Sequence, residues 1–130
     1  MLHDLVKKNR SYCRFDEERR FSREELLALI DHARLAPSAM NLQPLRYRLV
    51  YSPEECGSLF PHTRWGGYLK DWPGPQPGER PAAYLIMCLP SEAGRMQLVD
   101  TGIAAQTILL AAAEQGWGGC MLGSVNKDEV

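Results

Sequence analysis

Basic side chains are concentrated near the start of the chain. Residues 1–23 hold seven lysines and arginines against four acidic residues, although the whole chain carries a net charge of −1. Arg10, Ser11 and Arg14 lie in the middle of this stretch. Guanidinium groups bind phosphate oxygens through paired N–H donors, and a hydroxyl adds another hydrogen bond. The segment is therefore a candidate phosphate site, although its composition alone favours a solvated surface.

Two further segments contain residues that could approach a ligand. Residues 37–44, with the sequence PSAMNLQP, form a polar loop bracketed by prolines. Taken alone, its turn chemistry favours a plain loop that ends a helix. Residues 117–124 are rich in glycine, which allows a backbone to come close to a ligand. Tight packing of a helix against a strand is the favoured explanation for Gly116, Gly118 and Gly119.

Cysteine and histidine spacing does not indicate a metal site. There is no CxxC pair, and the residues are scattered over the chain: Cys13, Cys56, Cys88, Cys120, His3, His32 and His62. We expect free thiols, as is usual in a reducing compartment. A thiol-based redox role for Cys13 and Cys120 is one alternative function, and a lowered pKa of the Cys13 thiol would support it.

Periodic apolar residues predict the helices. Leu2, Leu5 and Val6 predict a short first helix. Ser22 and Glu25 have capping-box spacing before an apolar helical face, and this helix should end before Pro37.

Ser52 and Pro53 should start a short helix by the same capping logic. Residues 97–115 are apolar almost all round, which predicts a central helix.

Three segments are predicted to be strands. Residues 45–51 alternate between apolar and polar side chains, residues 82–89 read as a strand buried on both faces, and residues 117–124 form a glycine-rich strand. The intervening residues 61–81 carry three aromatic residues and five prolines, which forbid a central strand. We predict a long, lid-like excursion there, with a rigid surface crossover as the alternative.

Composition and charge exclude several classes of protein. With 130 residues, of which 45% are hydrophobic and 24% charged, the chain predicts one globular domain over residues 1–130. The near-neutral charge argues against nucleic-acid binding. The first residues lack a signal-peptide core, and the apolar stretch at 103–113 is too short to span a membrane. We therefore expect a cytoplasmic protein without membrane or nucleic-acid partners.

Three motifs resemble those of the nitroreductase family of FMN-dependent oxidoreductases. They are NRSYCRF at residues 9–15, APSAMNLQPLRYRLV at 36–50, and DTGIAAQTILLAAAEQGWGG at 100–119 with the glycine strand that follows. The resemblance implies an α+β fold of the nitroreductase type, in which helices flank a central mixed sheet. It also implies a homodimer with two FMN molecules at the subunit interface.

The resemblance assigns the first motif to the FMN phosphate and ribityl chain. Arg10 and Ser11 would make these contacts, and Tyr12 would contribute mainly backbone. Family members usually have an arginine or lysine at the position of Cys13, where it reaches the pyrimidine edge of the flavin. A thiol cannot supply that fixed positive charge, so either Arg14 takes its place, as we expect, or the reduced flavin is less stabilised.

The resemblance assigns the remaining site residues to the flavin ring. One group matches a loop that borders the isoalloxazine ring from the partner subunit, and the other matches backbone N–H groups near flavin N5 and O4. These residues are Pro37, Ser38, Asn41 and Gln43 in the loop, and Gly123 and Ser124 in the glycine-rich segment. No catalytic acid, base or metal ligand is assigned, because the cofactor carries the chemistry.

The implied activity is hydride transfer from NAD(P)H to the flavin, followed by reduction of a nitroaromatic, a quinone or a related acceptor. Trp65, Tyr68 and Trp72 lie where family members carry a variable substrate-side segment. A reductive dehalogenase on the same fold is one alternative. A non-catalytic flavin-binding dimer module is another, supported by Cys13 and by the expectation that the chain lacks the C-terminal part of the family.

Overall fold

The computed structural model describes residues 1–130 and contains four α-helices and two strands. Two short 3₁₀ turns, at Ala39–Asn41 and Phe60–His62, lie between them. In chain order, the elements are α1 (Leu2–Lys8), α2 (Arg23–Arg34), β1 (Arg46–Val50), α3 (Pro53–Leu59), β2 (Tyr84–Cys88) and α4 (Arg95–Glu114).

Helix α4 is the central element of the fold. Its small buried residues, among them Ala104, Ala111 and Ala112, allow α2 to pack closely against it. Leu26 and Leu29 of α2 complete this contact on one side of the hydrophobic core. The sequence prediction of a central helix over residues 97–115 is confirmed. α4 is also long and apolar enough to cross a membrane, but the core helix of a folded domain passes the same test.

Both predicted capping signals form as hydrogen bonds. Ser22 Oγ accepts the Glu25 amide at 3.1 Å, and the Glu25 carboxylate accepts the Ser22 amide at 3.0 Å. Ser52 Oγ accepts the Glu55 amide at 3.1 Å and starts α3. Arg19 binds the Glu25 carboxylate with both of its terminal nitrogens, and this hydrogen bonding lowers the pKa of Glu25. The starts of α2 and α3 are thus fixed by local chemistry.

The α+β class is confirmed, but the central mixed sheet is not found in this chain. The sheet has two antiparallel strands, in which Arg46 of β1 lies opposite Cys88 of β2. The predicted third strand at 117–124 forms only a parallel bridge between Ser11 and Gly119. Its glycines have no side chains to pack and lose more backbone entropy than other residues, so a regular strand is disfavoured there.

The prediction that β2 is buried on both faces was also wrong. The strand is half-buried and its last residue, Cys88, is exposed. Leu85 and Met87 pack against the core, whereas Ile86 on the opposite face lines an open groove next to Arg48. The core therefore covers only one face of this two-stranded sheet.

The base of the 61–81 segment is fixed to the rest of the fold. Trp65 stacks on Phe60 at 6.4 Å between ring centres and meets the Phe15 ring edge-on at 6.2 Å. The Trp65 indole N–H donates to Thr63 Oγ1 at 2.8 Å. By contrast, Tyr68 near the tip is fully exposed. A fixed base with an exposed tip suits the lid-like role, which stays a prediction.

A carboxylate joins this segment to the N-terminal part of the chain. One oxygen of Glu17 accepts the backbone amides of Gly78, at 2.7 Å, and Arg80, at 3.2 Å. The backbone amide of Phe15 donates to the Glu79 carbonyl at 2.8 Å beside it. The two chain segments are therefore held together by both backbone and side-chain hydrogen bonds.

We expect Glu17→Ala to lower the free energy of unfolding by about 1–2 kcal/mol, because two amides lose a charged acceptor. Glu17→Gln keeps an acceptor oxygen and should cost less. Chemical denaturation measures both changes. Glu18→Ala is the matched control, since Glu18 is an exposed neighbour of which only the backbone amide is engaged. Equal effects of the alanine variants at 17 and 18 would contradict this role.

Candidate functional site

An open groove lies between the end of α1 and the middle of α4. It has a volume of about 480 Å³ and a polar lining of Asn9, Arg10, Ser11 and Gln106, with Leu109 among its apolar residues. The chain leaves α1 at Asn9 in an extended conformation. The Tyr12 amide donates to the Gly119 carbonyl at 3.1 Å, which fixes the segment beside α4. The structure thus places Arg10 and Ser11 together at one groove, as the sequence predicted.

Arg10 is free to bind an anion. Its side chain is exposed, and no ion pair of the chain involves it. Other arginines near this end of the chain have partners within the chain. Arg19, for example, forms an ion pair with Glu25. A guanidinium without an internal partner, next to a serine hydroxyl, is suited to a phosphate group.

Tyr12 and Arg14 are directed elsewhere. The Tyr12 hydroxyl donates to the Lys8 carbonyl at 2.9 Å, and its ring lies against Gly118, where a Cβ atom would come within 2.6 Å. Packing therefore explains Gly118. Arg14 Nε lies 3.6 Å from a Glu79 carboxylate oxygen, so its guanidinium faces the 61–81 segment. Arg14 does not line the groove, and its expected role at the pyrimidine edge of a flavin stays a prediction.

The loop at residues 37–44 has an unusual backbone. Met40, Asn41 and Gln43 all have positive φ, at 53°, 54° and 50°. Non-glycine residues adopt this conformation only where other contacts hold them. Here Ser38 supplies two of those contacts, since its carbonyl accepts the Asn41 amide at 3.0 Å and its hydroxyl accepts the Gln43 amide at 3.1 Å.

The loop exposes groups that can bind a ligand. Pro37, Asn41 and Gln43 are exposed, and neither side-chain amide takes part in a hydrogen bond within the chain. Each carboxamide offers a donor and an acceptor, as a flavin pyrimidine ring requires. Met40 beside them is 89% exposed, which places an apolar side chain in solvent.

Asp100 is a site residue that the sequence analysis missed. It lies on α4, is 3% exposed, and its Oδ1 accepts the Ala39 amide at 3.0 Å. Its Oδ2 is buried without a partner. One acidic residue within the long apolar run of α4 was the signal available in the sequence.

Gly123 and Ser124 lie beside the 61–81 segment. The Ser124 carbonyl accepts the Arg64 amide at 2.8 Å, and open space surrounds Gly123. The backbone N–H groups of both residues donate to no backbone oxygen. These two donors are available to a ligand, as the glycine-strand motif implied.

The structure does not bring all of these residues to one place within the chain. Arg10 and Ser11 meet α4 at Gln106, whereas the loop meets α4 at Asp100. Six residues of an α-helix separate those contacts by about 9 Å along the axis. The loop and the groove therefore contact α4 at different positions along its axis.

Cys120 is not a reactive thiol. Burial is the main cause that raises its pKa to about 12, and the neighbouring Cys13 thiol contributes to the same rise. A thiol that stays protonated is a poor nucleophile and a poor metal ligand. No group of three or more cysteine, histidine or acidic side chains is arranged to hold a metal ion.

Comparison with known proteins identifies the family of the chain. The family model described as the nitroreductase family matches residues 6–130, and the chain belongs to this family. An iodotyrosine deiodinase from Thermotoga neapolitana is 28% identical over 91% of this chain and 71% of that protein. A putative NAD(P)H nitroreductase from Bacillus subtilis is 34% identical over 45% of this chain and 28% of that protein.

Solved structures show the same fold. A nitroreductase family protein from Clostridium novyi NT has a TM-score of 0.79 at 24% identity, and the match covers 99% of this chain and 73% of that chain. A putative nitroreductase from Exiguobacterium sibiricum, solved in complex with FMN, has a TM-score of 0.79 at 19% identity over 100% of this chain and 78% of that chain. The nitroreductase-type α+β fold is therefore confirmed.

We expect Cys120 to react slowly with iodoacetamide at pH 8, at least about tenfold slower than the exposed Cys88, because only the thiolate is nucleophilic. Its rate should keep rising with pH above 9, since its pKa is about 12. Mass spectrometry of the labelled peptides measures both rates, and labelling in denaturant is the control. Rapid labelling of Cys120 in the folded protein would restore the thiol-based alternative.

Proposed function

We propose that the chain binds FMN and acts as an FMN-dependent oxidoreductase. The observation that carries the proposal is the groove in which an unpaired Arg10 guanidinium stands beside the Ser11 hydroxyl. This pair has the donors that a flavin phosphate needs. The family relation and the FMN complex of a protein with the same fold support the same assignment.

A second copy of the chain would complete the binding site for the flavin ring. In one chain the residues 37–44 lie away from the groove, so a homodimer would bring a partner's loop to it. Exposed apolar side chains surround the loop and the first half of α4, including Met40 at 89%, Leu42 at 55% and Leu98 at 65% exposed. Large apolar side chains exposed in this way are typical of an interface.

FMN in this site would accept a hydride from NAD(P)H and then reduce a nitroaromatic, a quinone or a related acceptor. The chain's own residues bind and orient the cofactor: Arg10 and Ser11 hold its phosphate, the amides of Asn41 and Gln43 bind ring edges, and two backbone N–H groups approach from Gly123 and Ser124. None of these side chains needs to transfer a proton, which agrees with a cofactor-centred reaction. We expect a cytoplasmic location for such an enzyme.

A first experiment is to mix the protein with FMN, remove free FMN and record the flavin absorbance. Arg10→Ala should raise the dissociation constant of FMN by about 10–100-fold, because a charged hydrogen-bonding partner is lost. Arg23→Ala is the control, since Arg23 is an exposed arginine at the start of α2. Addition of NADH or NADPH under nitrogen should then bleach the flavin bands.

Two outcomes would contradict the proposal. If the wild-type protein retains no FMN, the cofactor assignment is wrong. If Arg10→Ala and Arg23→Ala change the dissociation constant of FMN equally, the groove is not the phosphate site. Bound FMN that neither nucleotide reduces would favour the non-catalytic flavin module instead.

Reductive dehalogenation is the second candidate activity. It is favoured by the relative described as an iodotyrosine deiodinase, whose similarity extends over 91% of this chain. The test is to reduce the bound flavin with dithionite and to add an iodinated phenol such as 3-iodotyrosine. Stoichiometric iodide release with reoxidation of the flavin would establish this activity. Reoxidation by nitroaromatics alone would exclude it.

A further inference from the structure

Asp100 presents a buried carboxylate that the fold does not fully satisfy. It lies on the core helix α4 with 3% of its surface exposed. Oδ1 accepts one amide from the distant Ala39, and Oδ2 has no partner. Buried polar atoms are rarely left unpaired, and each exception calls for an explanation.

The single hydrogen bond of Asp100 fixes the orientation of one peptide unit in the loop. The Ala39 amide belongs to the same planar peptide unit as the Ser38 carbonyl, so fixing one fixes the other. That carbonyl accepts the Asn41 amide at 3.0 Å. The orientation of the peptide unit between residues 38 and 39 therefore sets where Asn41 lies.

The Ser38 side chain extends this control to Gln43. Its hydroxyl accepts the Gln43 amide at 3.1 Å, across a segment in which three non-glycine residues have positive φ. A backbone of this kind persists only where the surroundings determine it strongly. Asp100 is the one side chain from outside the loop that accepts a hydrogen bond from a loop amide, whereas Arg46 Nη1 donates to the Gln43 carbonyl at 3.4 Å.

We propose that Asp100 is a positioning residue that holds residues 38–43 in the conformation that presents the Asn41 and Gln43 amides to the flavin. The proposal rests on the proposed function for its ligand. The carboxylate acts through the Ala39 amide and does not itself touch the cofactor. Its ionised form makes a charge-assisted hydrogen bond, which is stronger than one from a neutral acceptor.

This role differs from a general contribution to stability. The favourable hydrogen bond of Oδ1 is opposed by the cost of burying Oδ2 without a partner. Replacing the side chain should therefore leave the fold nearly as stable while releasing the loop. A purely structural role predicts the opposite, namely a large loss of stability with the loop affected no more than the rest of the chain.

The test compares Asp100→Ala, which removes the acceptor, with Asp100→Asn, which keeps an acceptor oxygen. Thr101→Val is the matched control, because the Thr101 hydroxyl donates to the Gln97 carbonyl within α4 and makes no hydrogen bond to the loop. Three measurements are made on each protein: the unfolding temperature without FMN, the hydrogen exchange of the amides of residues 39–43, and the dissociation constant of FMN.

For Asp100→Ala we expect an unfolding temperature within about 4 °C of the wild type. Exchange at the Ala39, Asn41 and Gln43 amides should be at least about tenfold faster, with α2 and α4 unchanged. The dissociation constant of FMN should rise about tenfold. Asp100→Asn should restore FMN binding to within about threefold of the wild type, as Thr101→Val should.

Several results would overturn the proposal. They are unchanged loop exchange in Asp100→Ala, faster exchange spread over the whole core with a large drop in unfolding temperature, or an Asp100→Asn protein as defective as Asp100→Ala. If the wild type itself retains no FMN, the proposed function fails. In that case the exchange data alone decide whether Asp100 holds the loop.

Discussion

The packing of α2 against α4 through small side chains is the constraint on which the rest of the structure depends. Ala104, Ala111 and Ala112 bring the two helices together, and β1 closes the same core through Leu49. Because this contact fixes α4, it also fixes everything attached to α4. Three features contact this helix: the Arg10 groove, the 37–44 loop and the bridge at Gly119.

This arrangement places the loop and the groove at different positions along one helix. A straight helix can support several loops, but it supports them at different levels along its axis. The loop is attached near the start of α4, and the groove lies beside its middle. Two copies related by a twofold axis can bring one chain's loop to the other chain's groove, and the exposed apolar residues of the loop and α4 would then be covered.

Much of the fold could be predicted because its signals are local. Ser22 and Ser52 specify helix starts through their own amide contacts, and the apolar character of α4 reports its central position. The third strand could not be predicted correctly, since pairing depends on partners far along the chain. The ion pair of Arg14 with Glu79 was not predicted for a similar reason, because Glu79 belongs to a distant segment. Asp100 was missed because its partner, Ala39, lies 61 residues away.

The central claim is that each flavin site combines the groove of one chain with the loop of another. It is tested most directly by mixing two defective variants, Arg10→Ala and the double change Asn41→Ala with Gln43→Ala, and measuring FMN retained per chain after subunit exchange. A shared site predicts that the mixture regains about a quarter of the wild-type sites, because half of the dimers are mixed and each has one intact site. A mixture that binds no more FMN than the average of its two components would contradict the account, because both halves of the site would then belong to one chain.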